Sequence, residues 1–134
     1  MIMQKPNIKN QNQNKSVKTG LKYRAFHLSI SVIRFVGSLP KDQALHIITG
    51  QLIRSITSIG ANIVEAKSYS SKREFLNYFQ IALKSANETK YWLAMLRELY
   101  PENKETIDTF IVEVSEMANI IGSSVLTMKG KRNL

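Results

Sequence analysis

The side chains that could do chemistry in this chain are few and scattered. His27 and His46 each stand alone in an apolar helical pattern, with no second histidine, cysteine or carboxylate at a metal-ligand spacing. They read as residues at the edge of a helical core. Glu65 and Glu88 fall near the inner faces of neighbouring segments, where a carboxylate pair could do acid–base work. Arg54 is placed to pair with one of them, so the pattern favours a structural ion pair or a subunit contact. Tyr91-Trp92 could stack on bases, but Trp92 flanks an apolar seam and reads as core or interface. Gly60 stands outside any glycine-rich phosphate loop, and the absence of cysteine removes thiolate ligands, thiol nucleophiles and disulfides. The expectation is a protein without catalytic residues, cofactor or metal.

The elements that position these residues are helices. Leu45, Ile48, Leu52, Ile56, Ile59, Ile63 and Ala66 recur at steps of three and four, the spacing of one face of a helix with about 3.6 residues per turn. Phe75, Phe79, Ala82, Ala86, Thr89, Leu93 and Leu96 repeat the pattern. Between the two lies the short turn of residues 67–70, which demands antiparallel packing. The first helix spans about Leu21 to Ser38 and carries two stripes, Ala25, Leu28, Val32 and Phe35 on one side and Phe26, Ile30 and Ile33 on another. One stripe suffices for a bundle; the second points to burial against another chain. Leu39-Pro40 ends this helix, and the next spans about Lys41 to Ser68. Its Gly60-Ala61 pair predicts a close helix approach, and Asn62 is expected either to hydrogen-bond across the helices and fix their register or to stand as an amide at the edge of the core. Ser71 and Glu74 form a capping box that opens the third helix, which Pro101 stops. In the fourth, Ile107, Ile111, Val114, Ala118, Ile121, Val125 and Met128 mark the seam of a left-handed bundle. Phe110, Met117 and Ile120 widen it beyond what a minimal bundle needs. The expected fold is all-α, an up-down-up-down antiparallel four-helix bundle over residues 21–128, between a disordered basic tail at 1–20 and a basic C-terminal tail at 129–134.

Charge is distributed unevenly along the 134 residues. The net charge is +9, yet residues 1–41 alone hold eight bases and no acid, residues 42–128 hold eight bases and ten acids, and residues 129–134 add three bases. Antiparallel order gathers Lys15, Lys18, Lys22 and Arg24, then Lys67, then Lys72 and Arg73, then Lys129, Lys131 and Arg132 at one end of the rod. The opposite end collects Asp42, Glu98, Glu102, Glu105 and Asp108 against Arg34, Lys41, Arg97 and Lys104. No signal-peptide core and no uninterrupted apolar run of about 18 residues is present, so a soluble cytoplasmic protein without membrane contact is expected.

The segments 51–55 (Gln-Leu-Ile-Arg-Ser), 58–66 (Ser-Ile-Gly-Ala-Asn-Ile-Val-Glu-Ala), 71–75 (Ser-Lys-Arg-Glu-Phe) and 81–93 (Ile-Ala-Leu-Lys-Ser-Ala-Asn-Glu-Thr-Lys-Tyr-Trp-Leu) resemble the bacterial four-helix-bundle proteins of the ribosomal-RNA intervening-sequence family. The likeness covers roughly residues 21–128. One branch of that family carries a proline and a glycine where this chain has Gly60 and Ala66, and this chain is similar to the other branch. The resemblance implies a homopentameric barrel with no known catalytic activity. The family includes proteins encoded within insertions in ribosomal RNA genes. It also includes the accessory variability protein of diversity-generating retroelements, a basic pentamer that binds a reverse transcriptase and nucleic acid.

Two functions follow as expectations. In the first, the basic end of a homo-oligomer binds RNA or DNA phosphates, as an accessory factor of a reverse transcriptase. In the second, the bundle is a protein-interaction scaffold encoded in a ribosomal-RNA intervening sequence, with no direct nucleic-acid role. Arg54, Asn62, Glu65, Glu88 and Trp92 are assigned to structure or subunit contacts in either case.

Overall fold

The computed structural model describes residues 20–68 and 71–132. Four helices run in antiparallel order: α1 Leu21–Ser38, α2 Gln43–Ser68, α3 Lys72–Leu99 and α4 Lys104–Arg132, with a short 3-10 turn at Pro101–Asn103 before the last. All described secondary structure is helical. The bundle expected from the pattern is the one observed.

Local chemistry sets the helix ends. The Leu39 backbone before Pro40 is extended (φ −77°, ψ 151°), as the proline ring demands of the residue preceding it. The Asp42 carboxylate then accepts from the Ala44 and Leu45 amides at 2.8 and 3.3 Å, satisfying donors that have no partner inside α2. Ser71 does the same for α3, its hydroxyl accepting from the Glu74 amide at 3.4 Å. Pro101 closes α3 as anticipated. At the other boundary α4 continues helically through residues 129–131 to Arg132, four residues past the expected edge of the bundle. No proline or glycine cap stops it earlier, since Gly130 is a weak helix former rather than a breaker.

The expected stripes make the core. Leu52, Ile56, Ile59, Ile63 and Ala66 of α2 face Ala82, Ala86, Leu93 and Leu96 of α3, and all are 0% exposed. Each fully buried leucine or isoleucine contributes about 1.5–3 kcal/mol by leaving water. On α4 the seam residues Ile107, Val114 and Ile121 are fully buried, and so is Met117, which therefore belongs to the bundle interior rather than to surplus apolar surface. α4 is long and apolar enough to cross a membrane by length and composition alone, but this seam is spent on the core. Ala25, Leu28 and Val32 bury the first stripe of α1. α1 lies mainly on α2 and only lightly along α4, touching it through Phe35, whose ring meets Phe110 edge-on at 5.5 Å.

Gly60 makes the α1–α2 contact close. A Cβ placed there would sit 3.4 Å from the Ala25 Cβ, so the Gly60-Ala61 step is a packing site and not a hinge. That contact, with the Ser29 hydroxyl donating to the Ile56 carbonyl at 3.2 Å, fixes the axial register: Ala25 stands opposite Gly60, and Leu21 opposite Val64.

Candidate functional site

The register places five exposed bases toward one end of the bundle. They are Lys67 at the end of α2, Lys72 and Arg73 in the first turn of α3, Lys129 near the end of α4, and Lys22 on α1. None forms an ion pair among the described residues. Glu65 and Glu74 are the acids nearby, so the end is net positive without its tails. Lys15 and Lys18 lie outside the described residues, as do the side chains of Lys131 and Arg132.

Two details of the expected basic end differ. α1 begins about four residues short of the level where α2 stops, roughly 6 Å along the axis. Lys22 consequently borders the α1–α2 groove together with Lys67 instead of forming a corner of the tip. Arg24 is not a free cation. Its Nε donates to Glu113 Oε1 at 2.7 Å, and its Nη2 donates to Glu113 Oε2 at 2.9 Å and to Glu116 Oε2 at 2.6 Å. The hydrogen bond to Glu113, reinforced by Glu116, raises an already high guanidinium pKa, so the ion pair persists across the physiological range. Two carboxylates thus claim the side chain that charge counting alone assigned to phosphate.

The opposite end is balanced. Arg97 Nη1 donates to Asp108 Oδ1 at 2.7 Å, which raises the Arg97 pKa and neutralises both groups. Arg34, Lys41 and Lys104 then face Asp42, Glu98, Glu102 and Glu105. The bundle is electrically polar along its axis.

Midway along α2 and α3 is a polar seam. Of the two carboxylates open to it, Arg54 pairs with Glu88, and it also donates from Nε to Gln51 Oε1 at 3.0 Å. The Trp92 indole lies 3.4 Å from the same Glu88 oxygen, half-buried rather than presented to solvent. Glu65 is eleven residues farther along α2 than Arg54, or roughly 16 Å, so Glu65 and Glu88 do not form an acid–base pair. Asn62 takes the second of its two expected places, half-buried at the edge of the core. Its amide donates to the Ser58 carbonyl at 2.7 Å and the Ser58 hydroxyl at 3.0 Å, both on its own helix. Hydroxyls make the neutral bonds between α2 and α3 here, Ser58 with Ser85 at 2.9 Å and Thr89 donating to Ser55 at 2.9 Å. Of these four hydroxyls the sequence pattern placed Thr89 on a buried stripe; Ser55, Ser58 and Ser85 were missed, and their signal was that they fall beside the stripes.

A second feature is the groove between α1 and α2, about 830 Å³, lined by Tyr23, Phe26, Ile30 and Ile33 on one side and by Thr57, Ala61 and Val64 on the other. The second stripe of α1 ends here. Phe26 is 61% exposed, because α1 turns its other face to the core. Among the described residues no three histidine, cysteine or carboxylate side chains converge on a point that could hold a metal.

Fold and surface together define a small antiparallel four-helix-bundle protein, polarised in charge along its axis and carrying on its flank an apolar groove that no other described residue covers. The chain belongs to the 23S rRNA-intervening sequence protein family, whose model matches residues 20–123. A crystal structure of a protein of unknown function from the S23 ribosomal protein family of Bacteroides thetaiotaomicron is similar to it, with a TM-score of 0.73 and 31% sequence identity over 79% of this chain and 98% of that one. No curated protein matches the chain.

Proposed function

We propose that this chain is a non-enzymatic, homo-oligomeric bundle protein, pentameric as the family resemblance implies, whose basic end binds RNA or DNA phosphates without strong sequence preference. The observation that carries it is the set of five exposed bases, without an ion pair among the described residues, drawn from all four helices toward one end, while Arg24, Arg54 and Arg97 elsewhere are held by carboxylates. Lysine and arginine on phosphates position a nucleic acid but carry no sequence information. Phe75, in the first turn of α3, is stacked on Phe79 inside the bundle with ring centroids 4.4 Å apart, so it offers no platform for a base. If copies align with their basic ends together, the rim multiplies the charge of one protomer. Affinity then arises largely from counterion release.

The test is binding of purified, size-verified oligomer to a labelled structured RNA and to duplex DNA at several salt concentrations. Tight binding to both, falling steeply with salt and weakened by removing residues 1–20, is the expected outcome. No binding at low salt would overturn the proposal in favour of a scaffold that docks a protein partner such as a reverse transcriptase.

A further inference from the structure

We propose that the basic-end mouth of the α1–α2 groove is a stacking platform for the unpaired bases of single-stranded nucleic acid, built from the Tyr23 and Phe26 rings beside Lys22 and Lys67. This platform presupposes the phosphate contacts proposed above and adds a second kind of contact, made by rings instead of charges.

Three large aromatic side chains are exposed among the described residues, Tyr23, Phe26 and Tyr91. Tyr91 lies on α3 toward the opposite end of the bundle, whereas Tyr23, 37% exposed, and Phe26 lie together near the start of α1. Their spacing of three puts them on one side of the helix, and both line the groove. His27 braces the pair. Its ring centroid is 4.1 Å from that of Tyr23, tilted by 43°, and 5.3 Å from that of Phe26, edge-on at 83°. Rings already held by a neighbour lose less rotamer freedom when a base settles on them. Across the groove stand Gly60 and Ala61, too small to cover Phe26.

Charge selects a nucleic acid as the occupant, and the rings select an unpaired one. The groove lining includes Lys22 and Lys67 and no carboxylate. Lys22 precedes Phe26 by four residues, about 6 Å along the helix, so a nucleotide whose phosphate meets the lysines can lay its base on the rings. A positive groove with aromatic side chains beside it is the means by which proteins hold single strands, since every base has a π-face. A duplex keeps those faces inside its own stack, and only an unpaired base can offer one. The hydroxyls of the groove do not read base edges as donors. Ser29 Oγ donates to the Ala25 and Ile56 carbonyls at 3.0 and 3.2 Å, and Thr57 Oγ1 to the Ile53 carbonyl at 2.7 Å. The platform therefore distinguishes paired from unpaired bases without selecting a sequence.

The experiment uses two full-length variants, Phe26→Leu and Tyr23→Leu, which remove a ring but keep an apolar side chain with good helix propensity. Circular dichroism verifies the helices and sedimentation velocity the oligomer. Fluorescence anisotropy then compares three labelled DNA probes of equal length: a mixed-sequence single strand, the same strand annealed to its complement, and an abasic single strand. Each variant is expected to bind the ordinary single strand more weakly by roughly 5-fold or more, the loss of a base–aromatic stack being worth about 5- to 150-fold. Affinity for the duplex and the abasic strand should stay as in the wild type, and so should the salt slope, because no charge is removed. Unchanged affinity for the single strand, or equal losses on single strand and duplex, would overturn the platform and leave the phosphate contacts standing. A variant that loses the wild-type oligomer would also overturn it, by assigning the ring to a contact between copies. No binding of any probe by wild-type protein at low salt would overturn both proposals.

Discussion

Replacing Lys67, Lys72 and Arg73 together by alanine is the sharpest perturbation of the basic end, because all three are exposed, near one another and free of ion pairs among the described residues. The substitutions leave the core untouched, so the folded state should persist. Each base that neutralises a phosphate of duplex DNA adds about 0.9 to the slope of log affinity against log salt. A four-fold rise from about 50 to 200 mM salt then weakens binding by roughly 3.5-fold per contact, and three contacts compound to roughly 40-fold. Relative to the variant, wild-type protein should lose that much more affinity per engaged protomer over this range. Fluorescence anisotropy with a labelled duplex reads the slopes directly. Arg24→Gln supplies the control that the structure makes possible. Its guanidinium is held by Glu113 and Glu116, so its removal should leave the slope unchanged, whereas charge counting alone ranks it with the others. Coincident slopes for wild type and the triple variant, or an equal loss in Arg24→Gln, would refute the assignment of phosphate contacts to this end.

Gly60→Ala should stabilise the protein by about 0.5–1 kcal/mol in urea denaturation, since it removes the helix penalty of glycine. The new methyl meets Ala25 Cβ at 3.4 Å without a clash. Gly60→Val should destabilise instead, because its further methyl groups extend toward the Ala25–Phe26 backbone, 3.9 Å from the Cβ position. Met117→Ala should cost about 2–5 kcal/mol in the same assay, the range for emptying a fully buried site. Thr89→Val keeps the side-chain volume but removes the hydroxyl 2.9 Å from Ser55 and 2.8 Å from the Ser85 carbonyl; the expected loss is about 1–2 kcal/mol. Asn62→Ala should cost less than about 1 kcal/mol, because the amide bonds only within its own helix. An Asn62 effect larger than that of Thr89 would show that the register is held elsewhere than at the Ser55–Thr89 and Ser58–Ser85 pairs.

What the sequence determined by itself is local or periodic. The bounds of α1, the stop at Pro101, the Ser71 cap and the buried faces of α2, α3 and α4 all follow from residues within a few positions of one another, where backbone sterics, amide satisfaction and a 3.6-residue period act. That Arg54 could pair with one of Glu65 and Glu88 was also legible, since antiparallel helices joined by a short turn bring their inner faces together; the choice of Glu88 was made by the structure. Tertiary structure alone decided how the helices sit along and around one another. Periodicity says which face of a helix is apolar, but nothing of its axial position. Gly60 packing on Ala25 sets α1 about one turn low, and this moves Lys22 to the flank. The fate of Arg24 depended on carboxylates 89 and 92 residues away, a separation at which spacing carries no signal. Asn62 turned back to Ser58, leaving the smaller Ser58 and Ser55 hydroxyls to reach α3. The apolar stripes could be counted in the sequence; which became core and which came to line a groove was settled only when each helix chose the neighbour against which to bury its larger face.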